Sequence, residues 1–191
     1  MKNNFTSKTN LQHARKNTII VVQADSREDL PYSILSTEVN KKFCGYLDYN
    51  YTFISVDVSK YPGLHPATKK IYIINEALQI YQTEYSVLIF MDTDCWIQNP
   101  FKLNYIVEKL LKNKSKFGYF SRDPYLRKNT YINSGSFILK INDYTKKMYA
   151  SIIYDLEFNT AVSQFKNEWP FDQFFVSKYI FENKNDFKNK P

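Results

Sequence analysis

Ser86–Pro100, SVLIFMDTDCWIQNP, sets an unbroken apolar run directly against two aspartates one residue apart. Six apolar or small residues in a row are too few for a helix. Bounded by polar residues, they read as a strand buried on both faces, the kind that occurs in parallel sheets covered by helices. The chain leaves the sheet at Asp92. In open α/β sheets the ligand crevice lies beyond the carboxyl ends of the strands. Alternate residues at such a strand end point to one side, so Asp92 and Asp94 can share a cation, or divide a cation and a ribose between them. Hard carboxylate oxygens suit Mn2+ or Mg2+ held jointly by protein and diphosphate. A bare Asp-x-Asp carries little weight, and a solvated acidic turn is the competing reading.

The rest of the chain reads as alternating strands and helices. Thr18–Gln23 (TIIVVQ) is a β-branched run followed by the polar turn from Ala24, and Tyr51–Val56 (YTFISV) reads as a second strand. Helices are expected from Pro31 to Phe43 and from Pro66 to Tyr81, each with a proline in the first turn, where its missing N–H costs little. Ile71, Ile74 and Leu78 recur at helical spacing in the second. Further strands are expected near Phe117–Ser121 and Ser136–Ile141, and further helices near Asn104–Leu111, Asp143–Leu156 and Phe171–Phe181. This alternation predicts an α/β domain with a mostly parallel central sheet flanked by helices. Residues 1–17 read as a polar extension, 18–183 as one domain and 184–191 as a basic tail. Asp25 ends the first strand, so it is expected beside Asp92.

Composition narrows the chemistry. The 191 residues carry a net charge of +7, and 43% are apolar, which is a globular composition. A positive field suits a diphosphate, a nucleic acid or an acidic membrane surface. Only four glycines are present, and neither a Walker-type loop nor G-x-G-x-x-G occurs. Cys44 and Cys95 have no ligand spacing, which disfavours zinc or a disulfide framework and fits a reducing compartment. No run approaches the length needed to cross a bilayer. A soluble, cytoplasmic protein, or one domain of a longer chain, is therefore expected.

Several segments in order carry a family resemblance: NKKFCGYLDYNYTFI, HPATKKIYIINEAL, MDTDCWIQNP, INSGSFILK and WPFDQFFV. From about Thr18 to Tyr179 the chain resembles the GT-A glycosyltransferases that include fungal α-galactosyl- and α-mannosyltransferases and plant xyloglucan xylosyltransferases. Its general build is also similar to small capsid-modifying transferases of large algal viruses. The resemblance implies a GT-A fold, a nucleotide-sugar donor (a UDP-sugar by family expectation), a divalent cation and a hydroxyl acceptor on a glycan or glycoprotein. Carried over by position, Asp92 and Asp94 serve the metal, and Asp92 and Thr93 the nucleotide. Lys69 lies near the donor phosphates or sugar, and Asn133, Ser134 and Gly135 border the donor sugar and acceptor. Asp172 and Gln173 stand at the reaction centre. The family's later histidine ligand has no counterpart, since the only histidines are His13 and His65.

Other residues have plainer readings. Asp25 can contact a ribose or close a turn, Lys69 can be an exposed helix lysine, and Asn133–Gly135 can be a turn before a strand. Asp172 can be a helix cap, and Asp123 can reach the sugar or start a turn. His65 reads as structural, and Trp96 and Trp169 as core. Two other functions compete: a basic nucleic-acid-binding module and a non-catalytic sugar-binding domain. The aromatics are spread through core segments rather than interleaved with Lys and Arg, so no nucleic acid is expected. Asp92, Asp94 and Asp172 together argue against a mere lectin.

Overall fold

A computed structural model describes residues 18–122 and 132–183. The extension at 1–17, the tail at 184–191 and Asp123 lie outside the described residues. Five strands form one sheet: β1 (Ile19–Asp25), β2 (Asn50–Ser55), β3 (Val87–Met91), β4 (Gly118–Arg122) and β5 (Ile132–Lys140). Their spatial order is β2-β1-β3-β5-β4. The pairs β1–β2 and β1–β3 are parallel, while β5 runs antiparallel to both β3 and β4. Four strands thus point one way and β5 is reversed, giving a mixed sheet flanked by helices.

The helices are α1 (Pro31–Leu47), α2 (Pro66–Ile80), α3 (Pro100–Lys112), α4 (Asp143–Phe158) and α5 (Asp172–Glu182). Prolines open α1, α2 and α3. At α3 the Asn99 side chain accepts the Lys102 N–H, so the helix begins at Pro100, four residues before the expected Asn104. The first helix runs past Phe43 to Leu47 and closes on Asp48 at φ 58°. Asn142 and Thr145 cap α4 reciprocally.

Strand alternation sorts the core into two layers. Ile20, Val22, Leu88, Phe90, Phe137 and Leu139 face α2, α4 and α5, where Ile74, Leu78, Tyr149, Ile152 and Phe175 meet them. Ile19, Val21, Val87, Ile89, Met91 and Ile138 face the other way, onto Cys44, Leu47, Val107 and Leu110 of α1 and α3. Asp92 continues the series Leu88–Phe90, which aims it at α2 and α5. Both tryptophans depart from the core reading: Trp96 is 53% and Trp169 63% exposed, because each sits in a loop outside the two layers. Among the described residues, no helix is long and apolar enough to cross a membrane.

Candidate active site at the carboxyl ends of the parallel strands

A crevice of about 700 Å3 opens beyond β1 and β3, lined by Asp25, Arg27, Tyr32, Val58, His65, Lys69, Lys70, Asp92, Thr93 and Asp94, among others. Its charged centre is a triad. The Lys70 ammonium lies 3.0 and 3.2 Å from the two Asp92 carboxylate oxygens. It also lies 3.1 Å from Oδ2 of Asp172, the first residue of α5. Lys70 and Asp172 are buried, so each needs the other. Burial pulls the Lys70 ammonium towards deprotonation, but the Asp172 and Asp92 charges outweigh it and hold the group charged, above its ordinary value. One cation serves two anions, and a deficit remains at Asp92. Burial pushes that carboxyl up to about 6, Lys70 opposes the rise, and the Asp172 and Asp94 charges add to it.

Asp25 lines the same crevice from the end of β1. It accepts the Thr93 hydroxyl at 2.7 Å and both the backbone N–H and guanidinium of Arg27. Burial raises its carboxyl, but Arg27 and Thr93 prevail and hold it below the usual value. Asp25 therefore couples the β1 end to the Asp-Thr-Asp loop.

Beneath that loop lies a buried polar network on α1 that sequence reasoning missed. Gln23 donates to the Asp92 carbonyl at 3.0 Å and accepts from Asn40 and Tyr51 at 3.0 and 2.8 Å. Asn40 donates to the Cys95 carbonyl and accepts the Ile97 N–H at 2.8 Å. Ser36 donates to the Thr93 carbonyl. The loop's backbone is thus held by side chains at four places between Asp92 and Ile97, which fixes how Asp92 and Asp94 leave the sheet. The available signal was the stripe Ser33, Ser36, Asn40, Cys44 and Leu47 at helical spacing on α1, all buried and mostly polar.

Asn133, Ser134 and Gly135 lie within β5 rather than in a turn before it, because that strand starts at Ile132. The Asp92 N–H donates to the Gly135 carbonyl at 2.7 Å, and the Gly135 N–H donates to Asn133 Oδ1 at 2.8 Å. A Cβ at Gly135 would stand 3.0 Å from both Asp92 Oδ2 and Asn133 Oδ1, so glycine keeps space beside the carboxylate. These three residues back Asp92 and do not line the crevice. Lys69 lines it, but its ammonium donates to the Val58 carbonyl at 2.7 Å. The lysine that meets the carboxylates is Lys70. Asp94 is exposed at the crevice edge. At α5 the cap position belongs to Phe171, whose side chain makes no cap hydrogen bond, and Asp172 turns to Lys70 instead. Gln173 follows, its N–H donating to the Pro170 carbonyl.

No group of three His, Cys, Asp or Glu side chains among the described residues is placed to hold a metal alone. Asp92 and Asp94 nevertheless offer two carboxylates on one crevice wall. Each oxygen retains acceptor capacity beyond a single ammonium contact. One or two carboxylates with substrate phosphates is an ordinary donor set for Mg2+ and similar cations. The residues fit a cation shared with a diphosphate and do not fit a protein-only cage.

No protein-family model matches the chain, and no curated protein matches it. Among solved structures it is similar to a glycosyltransferase involved in the glycosylation of the major capsid of PBCV-1. The TM-score is 0.66 at 14% sequence identity, over 86% of this chain and 76% of that one. At that identity the likeness concerns architecture, and the chain has a GT-A-like α/β fold.

Proposed function

We propose that the chain is a metal-dependent glycosyltransferase that moves a sugar from a nucleotide-diphosphate donor, a UDP-sugar by preference, to a hydroxyl of a glycan or glycoprotein. The observation that carries this reading is the crevice at the β1 and β3 ends lined by Asp92, Asp94 and Lys70, with Lys70 also bound to the buried Asp172. The fold, shared with a known glycosyltransferase, supports it. In such a transfer the bond from the anomeric carbon to the β-phosphate oxygen breaks and its electron pair leaves with the diphosphate. The acceptor oxygen forms the new bond and gives up its proton. Mn2+ or Mg2+, when bound, stabilises the charge of the leaving diphosphate.

Asp92 and Asp94 would hold that cation, with Thr93 and Asp25 directed to the nucleotide. Lys70 would place a fixed positive charge beside the β-phosphate and hold the Asp172 carboxylate in place. Asp172, buried and therefore poorly screened, would stabilise positive charge developing at the anomeric centre, with Gln173 orienting the sugar. The testing experiment is a screen of nucleotide sugars with Mn2+, reading thermal shift and nucleotide release together. The proposal expects one donor class to give both signals, and Asp94→Ala, an exposed position, to lose both while keeping its melting temperature. Thermal shift without release from any donor would favour a non-catalytic sugar-binding domain instead.

A further inference from the structure

Lys70 and Asp172 stand on different helices, and their 3.1 Å contact requires the amino ends of α2 and α5 to be held in register. One residue touches both ends. His65 is the cap of α2, its Nδ1 accepting the Ala67 N–H at 3.2 Å. Its ring stacks on Phe171, with centroids 3.9 Å apart and planes 10° from parallel. Phe171 is the residue immediately before Asp172. It adopts φ 53° and ψ −130°, a positive-φ conformation that a non-glycine residue keeps only when its surroundings impose it. Side-chain-to-backbone contacts also tie the start of α2 to the segment that leads towards Phe171. The His65 N–H donates to Asn167 Oδ1 at 2.7 Å, Asn167 donates to the Gly63 carbonyl, and the Thr68 hydroxyl donates to the Lys166 carbonyl.

We infer that His65 is a positioning residue for Asp172. The ring clamps Phe171 in its positive-φ conformation, which sets the first turn of α5 and delivers the Asp172 carboxylate to Lys70. His65 also lines the crevice, so the clamp is continuous with the ligand site rather than remote from it. The inference rests on the glycosyl-transfer reading for its consequence in turnover, but not for the clamp itself.

Two substitutions separate the two jobs of the ring. His65→Asn keeps a side-chain acceptor for the helix cap and loses the stack. His65→Phe keeps a ring on Phe171 and loses the cap acceptor. If His65 positions Asp172, His65→Asn lowers kcat by about tenfold to a hundredfold with donor KM little changed, because small misplacement of a reacting group is costly. His65→Phe restores most of kcat while being the less stable of the two. A merely structural histidine gives the opposite pattern, with kcat per folded molecule equal in both variants or falling in step with stability.

Hydrogen exchange supplies a readout independent of turnover. The Phe171, Gln173 and Phe174 amides donate to Glu168, Pro170 and Phe171 carbonyls at the start of α5. Their exchange should accelerate about tenfold in His65→Asn and stay at the wild-type rate in His65→Phe. Unchanged exchange in His65→Asn overturns the clamp. Faster exchange with wild-type kcat overturns its role in positioning. If the wild-type protein turns over no donor, the glycosyl-transfer reading has failed, and exchange alone decides the clamp.

Discussion

Burial of Asp92 outweighs the Lys70 ammonium that it shares with Asp172, so Asp92 remains ionised at neutral pH only at some expense to the fold. Its carboxyl rises from 3.8 to about 6 in the folded chain. For an acid raised on folding, the penalty is full above about 6 and disappears as pH falls through 6 towards 3.8. Asp92→Asn should therefore raise the melting temperature of the ligand-free protein at pH 7.5, with the gain shrinking by pH 5, while abolishing metal-dependent nucleotide binding. Thermal scans at the two pH values, with and without Mn2+ and nucleotide, check both halves. The neighbouring lysines should differ sharply. Lys70→Met strands the buried Asp172 without its partner, a loss of about 3–5 kcal/mol. Lys69→Met removes one bond to the Val58 carbonyl and should cost about 1 kcal/mol. Urea titrations of the pair would show it, and near-equal midpoints would contradict the triad. Sequence reading favoured Lys69 through the family resemblance. The physical cue for Lys70 was nonetheless present: it lies four residues before Ile74 and eight before Leu78, on the stripe that faces the sheet.

At the scale of elements, apolar runs were the legible part. β1 and β3 are nearly all apolar because helices cover both faces, and β3 begins and ends within a residue of where its sequence places it. Boundaries set by polar side chains were harder to read. The start of α3 depends on Asn99, and β5 reaches back to Ile132 because its Asn-Ser-Gly segment pairs with the end of β4 across a bulge. Least legible was the buried face of α1. Periodicity of hydrophobic residues cannot reveal a stripe that buries Ser36 and Asn40, since those side chains are inside to bind the carbonyls of another segment. That stripe also yields a prediction. Asn40→Ala leaves the Ile97 N–H without its partner in a buried setting, at about 1–3 kcal/mol for an unsatisfied group, while the Cys95 carbonyl keeps the Gln23 amide at 3.4 Å. The substitution should lower stability by at least that of one group and weaken nucleotide binding without touching the ligand. A variant that loses stability but binds nucleotide with wild-type affinity would show that the network supports only the fold.

For the molecule as a whole, the decisive arrangement is the sheet order. Parallel β1 and β3 lie side by side and bring Asp25 and Asp92 to the lining of one crevice. The reversed β5 brings Gly135 against Asp92 from the other side, and α5 closes the end with Asp172. Segments far apart in the chain thereby supply four charges to one place, with the positive excess of the sequence as a background that favours an anionic ligand. The claim that this crevice holds a nucleoside diphosphate through a shared cation is tested most directly by calorimetric titration of UDP into the wild-type protein and Asp94→Ala, each in Mn2+ and in EDTA. The account predicts binding by the wild-type protein that weakens about tenfold or more in EDTA, and binding by Asp94→Ala that is weak and indifferent to the metal. Equal affinities for wild type and variant in Mn2+ would contradict it.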